Sequence, residues 1–139
     1  MKPKDGATYY PDGVSVQSAI LGSAYSPPSS RGQVLSLNDP ELLLWGPGAE
    51  PDVTNSLTVA SGSRLTGSNK TTLNLKPSTG FFTGTAPNAD TTASKPIRLV
   101  GVVLQDRSVG CGYFLSQTNA GCLLLKAAGG TNYNEIVPQ

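Results

Sequence analysis

Apolar and polar residues alternate along much of this chain, in short runs interrupted by Gly, Pro, Asn and Ser. Alternation puts successive side chains on opposite faces of an extended backbone, so each run predicts a half-buried β-strand. Runs of this kind occupy residues 14–16, 19–21 and, after the Ser26-Pro27-Pro28-Ser29 loop, 34–37. Further strands are expected at 42–45, 56–59 and 64–66.

The clearest local unit covers 72–85, two alternating stretches around Pro77-Ser78-Thr79-Gly80. Proline suits the first central position of a type I turn, and glycine accepts the positive φ that closes such a turn through a bulge, so a hairpin is predicted. Residues 97–105, 112–116 and 122–126 then read as three strands joined by tight turns, a meander. Gly or Pro interrupts nearly every stretch that could carry a 3.6-residue apolar period, so helix should be minor. Gly101, Gly110 and Gly112 fall in or beside strands, where glycine marks a bend or bulge.

The resulting expectation is an all-β fold. It is a small antiparallel β-barrel of about eight to ten short strands, meander-type, or a barrel-like sandwich, with little or no helix. Residues 1–12 read as a loose N-terminal segment, 13–127 as one barrel-like domain and 128–139 as a polar C-terminal tail. A chain of 139 residues is long enough to bury its own core.

Charged residues make up only 14% of the chain and the net charge is +1, which argues against disorder. The basic residues are scattered rather than striped, so nucleic acid is not an expected partner. The longest apolar runs, 42–45 and 123–125, fall far short of a membrane span. Abundant Ser, Thr, Asn and Gly suit an extracellular or cell-surface protein, and since Met1 to Gly6 has no apolar stretch, the expectation is either that a signal has been removed or that the chain is a fragment of a longer protein.

From residue 73 to 125 the chain carries, in order, Leu73-Asn74-Leu75-Lys76-Pro77-Ser78-Thr79-Gly80, Phe82-Thr83-Gly84, Gly101-Val102-Val103-Leu104-Gln105 and Gly110-Cys111-Gly112-Tyr113-Phe114-Leu115. This series, with Tyr25-Ser26-Pro27-Pro28 ahead of an apolar run, resembles an uncharacterised all-β domain found in large exported multi-domain proteins of planctomycete and verrucomicrobial bacteria. The resemblance implies an accessory or structural role beside adhesion-like or repeat domains and supplies no catalytic residues. Cys111 and Cys122 lie outside its pattern.

Candidate chemistry is sparse. The absence of histidine removes Ser-His-Asp and Cys-His catalysis in their usual forms and the commonest zinc ligand. No metal or cofactor is implied. The nine acids sit mostly in expected loops, as turn formers, although a carboxylate pair would suffice for a glycosidase. Cys111 and Cys122 either form one disulfide or act as two small buried hydrophobes, and a turn at 118–121 would set Cys122 opposite a residue near 117. Asn69-Lys70-Thr71 matches a glycosylation sequon.

Trp45, Tyr25 and Tyr113 are the binding candidates, since exposed aromatic faces stack on sugars or anchor proteins, though Trp45 could equally plug the core or a barrel mouth. Phe81 and Phe82 must point to opposite faces, one inward and one free to meet another domain. The expected role is a non-enzymatic structural, adhesion or glycan-contacting module of a larger exported protein. Its partners would be neighbouring domains, protein subunits or glycans, with self-assembly through sheet edges or termini as a variant. A calycin-like barrel binding a small hydrophobic ligand is the alternative, and a carbohydrate-active enzyme comes third.

Overall fold

The computed structural model describes residues 21–29, 33–46, 53–61, 63–88, 95–116 and 120–130. The strand expected at 14–16, residues 19 and 20 of the one expected at 19–21, the head at 1–12 and most of the expected tail lie outside these residues, and Leu21 is not in a strand. Eight strands follow one another: β1 (Pro40–Trp45), β2 (Val53–Ser61), β3 (Arg64–Gly67), β4 (Thr72–Lys76), β5 (Phe81–Ala86), β6 (Ile97–Leu104), β7 (Val109–Leu115) and β8 (Ala120–Ala127). Each is antiparallel to its sequence neighbours, and β8 returns to β1, so the sheet closes into a barrel. The all-β barrel expectation holds, in its closed form. Helix among the described residues is confined to one 3₁₀ turn at Gln105–Arg107.

Closure is made by β1 against β8, in register from Pro40 opposite Ala127 to Trp45 opposite Cys122. The Ala128 amide extends the seam by donating to the Asn38 and Asp39 carbonyls at 3.3 and 3.1 Å. Glu41 faces Lys126 across it with a 3.7 Å ion pair, which at partial exposure adds at most about 1 kcal/mol. Every described strand therefore has a partner on both sides, and the closed sheet leaves no free edge among the described residues.

The predicted hairpin is β4–β5. Thr79 and Gly80 amides both donate to the Lys76 carbonyl, at 3.1 and 2.9 Å, and Gly80 holds φ +71°, the left-handed value expected of the turn's closing residue. The expected meander is β6–β7–β8. Inward positions follow strict alternation: Leu73 and Leu75 from β4, Phe82 from β5, Leu99 and Val103 from β6, Leu123 and Leu125 from β8.

These large inward side chains are matched with inward glycines. Phe82 lies opposite Gly101, which lies opposite Gly112, while Gly84 sits between Leu73 and Leu99. A Cβ on Gly101 would meet the Phe82 ring and the Cys111 carbonyl, and one on Gly110 would come within 2.8 Å of Phe82 Cε1 and 3.2 Å of Leu125 Cβ. A barrel of eight strands has an interior just wide enough for side chains, so a phenylalanine fits only where its neighbours have none.

One end of the barrel is closed by the chain that precedes β1. The Tyr25 ring rests on Gly80 and its hydroxyl donates to the Pro77 carbonyl at 2.5 Å. Gln105 clamps Ser26 from both sides, its Oε1 accepting from the Ser26 amide at 2.7 Å and its Nε2 donating to the Ser26 carbonyl at 3.0 Å. Residues 34–37, expected as a strand, form a bend at 34–35 and an irregular stretch at 36–37 instead, with Val34 buried and Leu35 and Leu37 packed against the core. Their amphipathic pattern is real, but a closed barrel offers no edge for another strand to join. They cover the end formed by Leu65 and Leu75 and leave a pocket of about 20 Å³, the room of roughly one water.

Gly110→Ala is expected to destabilise the barrel by about 1–3 kcal/mol in urea unfolding, the range for overpacking. Phe82→Leu in the same chain should recover part of that loss, giving a positive coupling in a double-mutant cycle.

Candidate functional site

Outward positions on a barrel wall meet water, and on β1 to β4 polar side chains such as Thr54, Ser56, Thr58, Thr72 and Asn74 occupy most of them. From β5 to β8 the outer face changes character. Register alone places Phe81 beside Val102, Val102 beside Cys111, Cys111 beside Leu124, and Leu124 beside Leu43. A second outward row runs Val100, Tyr113, Cys122, Trp45, and Leu115 adjoins it two residues beyond Tyr113.

The two rows are not uniformly exposed. Leu43, Trp45 and Leu124 are buried together with Leu104 and Val109 in a small apolar cluster outside the lumen. Phe81 is 53% exposed and Tyr113 49%, and Val102, Leu115 and Cys122 are exposed as well. The outer face of β5–β8 thus carries an apolar patch, covered only in part, beside the outward Thr83, Thr85 and Arg98. Lone apolar residues on a surface are ordinary, but a contiguous patch across several strands marks a contact site.

The three aromatic candidates separate. Tyr25 is spent on the closed end, where its ring and hydroxyl are both engaged by the β4–β5 turn. Trp45 neither stands at a rim nor plugs the lumen: its side chain faces outward yet is 5% exposed, packed in the outer cluster. Tyr113 lies on the open part of the same face, separated from Trp45 by Cys122. Phe82 is the inward and Phe81 the outward member of their pair, with exposures of 1% and 53%.

Cys111 and Cys122 are both free thiols. The β7–β8 register sets Cys122 opposite Tyr113, not near 117, and Cys111 opposite Leu124, so the sulfurs occupy diagonal positions on one face. Diagonal neighbours across antiparallel strands stand about 7–8 Å apart at Cα, beyond what a disulfide spans without backbone movement. Burial pushes the Cys111 thiol up to about 11 against an opposing pull from the Arg107 guanidinium, with Cys122 adding to the rise. Burial also raises Cys122. Both are therefore protonated, weakly nucleophilic members of an apolar surface.

The sequon has a structural use. Asn69 Nδ2, the atom a glycan would occupy, donates to Asn55 Oδ1, and Asn69 Oδ1 accepts from the Thr71 amide at 3.1 Å. The side chain thereby stitches the β3–β4 turn to buried Asn55. Of the acids, Asp39 holds a positive φ just before β1, Glu41 pairs with Lys126, and Asp106 lies on the 3₁₀ turn. The remaining six lie outside the described residues. Among the described residues no group of three His, Cys, Asp or Glu could hold a metal ion, and no helix is long and apolar enough to cross a membrane.

Val102, Leu115 and Cys122 entered no sequence-based list of binding residues. A signal for them existed: after Arg98, apolar residues occupy both phases of the β6 alternation, and in β7 Tyr113 and Leu115 add apolar positions opposite in phase to Phe114. Strands apolar on both faces bury both or use one. Compared with known proteins, the chain matches no family model, no curated protein and no solved structure.

Two measurements check this layout. Trp45→Ala should cost about 3–5 kcal/mol of folding stability as a buried aromatic, whereas Tyr113→Ser should change it by no more than about 0.5 kcal/mol, both read by urea unfolding. Alkylation by iodoacetamide at about pH 8 should be slow, modify Cys122 before Cys111, and accelerate as pH rises towards the raised thiol values. Because Arg107 favours the Cys111 thiolate, Arg107→Ala should slow Cys111 further, as followed by peptide mass spectrometry.

Proposed function

We propose that this chain is a non-enzymatic contact module, a structural or adhesive part of an exported assembly, that works through the outer face of β5–β8. The observation that carries this reading is the exposed apolar patch of Phe81, Val102, Tyr113, Leu115 and Cys122 on a barrel whose lumen is filled by leucine, valine and phenylalanine. A small-ligand carrier needs an empty apolar cavity of a few hundred Å³, and the pocket under residues 33–37 is about 20 Å³. The outside of the barrel is the surface on which this reading rests. An extracellular setting accords with the sparse charge and with the resemblance to exported bacterial domains.

Protein contact is favoured over glycan contact by the chemistry of the face. Sugar rings require several hydrogen-bond partners around a stacking aromatic, whereas Tyr113 is flanked by Val100 and Cys122, and Phe81 by Val102 with Lys76 on its other side. Protein interfaces, by contrast, centre on aromatic and aliphatic anchors that exclude water.

A photo-cross-linking residue placed at Tyr113 or Val102 in the producing cells should yield protein adducts, and one at Asn74, on the polar outer wall, should not. Adducts from position 74 alone, or a hydrophobic molecule co-purifying in the lumen by native mass spectrometry, would overturn the reading.

A further inference from the structure

An apolar face fits many partners until the charges around it are considered. Lys76 stands directly beside Phe81, Arg98 beside Leu115, and Arg107 follows the end of β6 close enough to act on the Cys111 thiol. All three cations are exposed, and no ion pair involves them among the described residues. Lys126, two residues beyond Leu124, is held by Glu41. Among the described residues the one other carboxylate in this region is Asp106, on the 3₁₀ turn beside Arg107. Among the described residues the exposed part of the face is therefore bordered by an excess of positive charge.

Resting on the contact reading above, we infer that the β5–β8 face receives a protein surface or segment that carries apolar side chains flanked by carboxylates. The centre of an interface gains from exclusion of water, while charges at its rim choose the partner and speed encounter. Phe81, Val102, Tyr113 and Leu115 supply such a centre, and Lys76, Arg98 and Arg107 supply a rim of one sign. A second copy of this chain does not fit the same description. Two such faces brought together would set like charges against like, and the closed barrel lends no sheet edge to compensate.

The test uses the ¹⁵N-labelled protein and two synthetic peptides that share the same Leu, Phe and Trp residues, one with glutamates between them and the other with lysines. The glutamate peptide should shift amides of β5–β8 and bind at least about tenfold more tightly than the lysine peptide at low salt, with the gap narrowing as salt is added. Arg98→Glu combined with Arg107→Glu should reverse the preference, and Phe81→Ser with Tyr113→Ser should abolish binding of either peptide while leaving the folded spectrum elsewhere unchanged.

Equal binding of the two peptides at this face would overturn the inference about charge and leave the contact reading standing. Self-association through the face in the absence of peptide would overturn it in favour of a second copy. Binding of phosphatidylcholine–phosphatidylglycerol vesicles with both peptides inert would overturn it in favour of a lipid surface. Absence of any shift on β5–β8, together with no cross-links from position 113, would overturn both the inference and the reading beneath it.

Discussion

The structure depends on how volume is shared inside a tube only one side chain wide. The Phe82 ring lies over Gly101 and Gly110 on the two following strands because neither presents a Cβ to it, and Gly84 likewise leaves room for Leu73. Glycines at such positions also let strands bend, as a closing sheet requires. Closure then dictates what remains. Among the described residues the closed sheet leaves no edge to extend, and the strands' outward positions form its outer wall.

On that wall the division between β1–β4 and β5–β8 follows from which phase of the alternation holds the apolar residues. β4 presents Thr72, Asn74 and Lys76 outward, and β6 presents Val100 and Val102. The second set is costly to leave in water, and part of it is indeed withdrawn around Trp45 and Leu124. The thiols share this environment. Placed among valines and leucines, Cys111 and Cys122 behave as small hydrophobes with their protons retained, which joins them to the surface chemistry of the patch rather than to redox chemistry.

Much of the fold was legible because it is local. The β4–β5 hairpin is written in the alternation of Leu73-Asn74-Leu75 and in Pro77 and Gly80, and the β6–β7–β8 meander in runs separated by short turns. Residues 34–37 show the limit of that method: alternation reports amphipathicity, and a segment lying across a barrel end needs an apolar side as much as a strand does. The seam was not legible either, since Leu42-Leu43-Leu44-Trp45 is apolar in both phases and does not reveal that Trp45 faces out. The candidate site was half legible. Tyr113 and the Phe81–Phe82 opposition could be read from the chain, but the rows that join Phe81 to Cys111 and Tyr113 to Cys122 exist only once the register between strands is known.

The order in which the barrel can assemble follows from its seam. Seven of its eight strand pairings join neighbours in sequence and can zip from one hairpin to the next, whereas β1 finds β8 only after every strand between them is in place. Long-range pairing of this kind pays its loop-closure entropy before any contact is made, so ring closure is the natural late step of folding. The two strands kept waiting contain the longest apolar runs of the chain, Leu42 to Trp45 and Leu123 to Leu125. Until they meet, each is a bare hydrophobic edge, so the nascent molecule is most vulnerable to aggregation at the seam that, once joined, leaves the mature barrel with no edge.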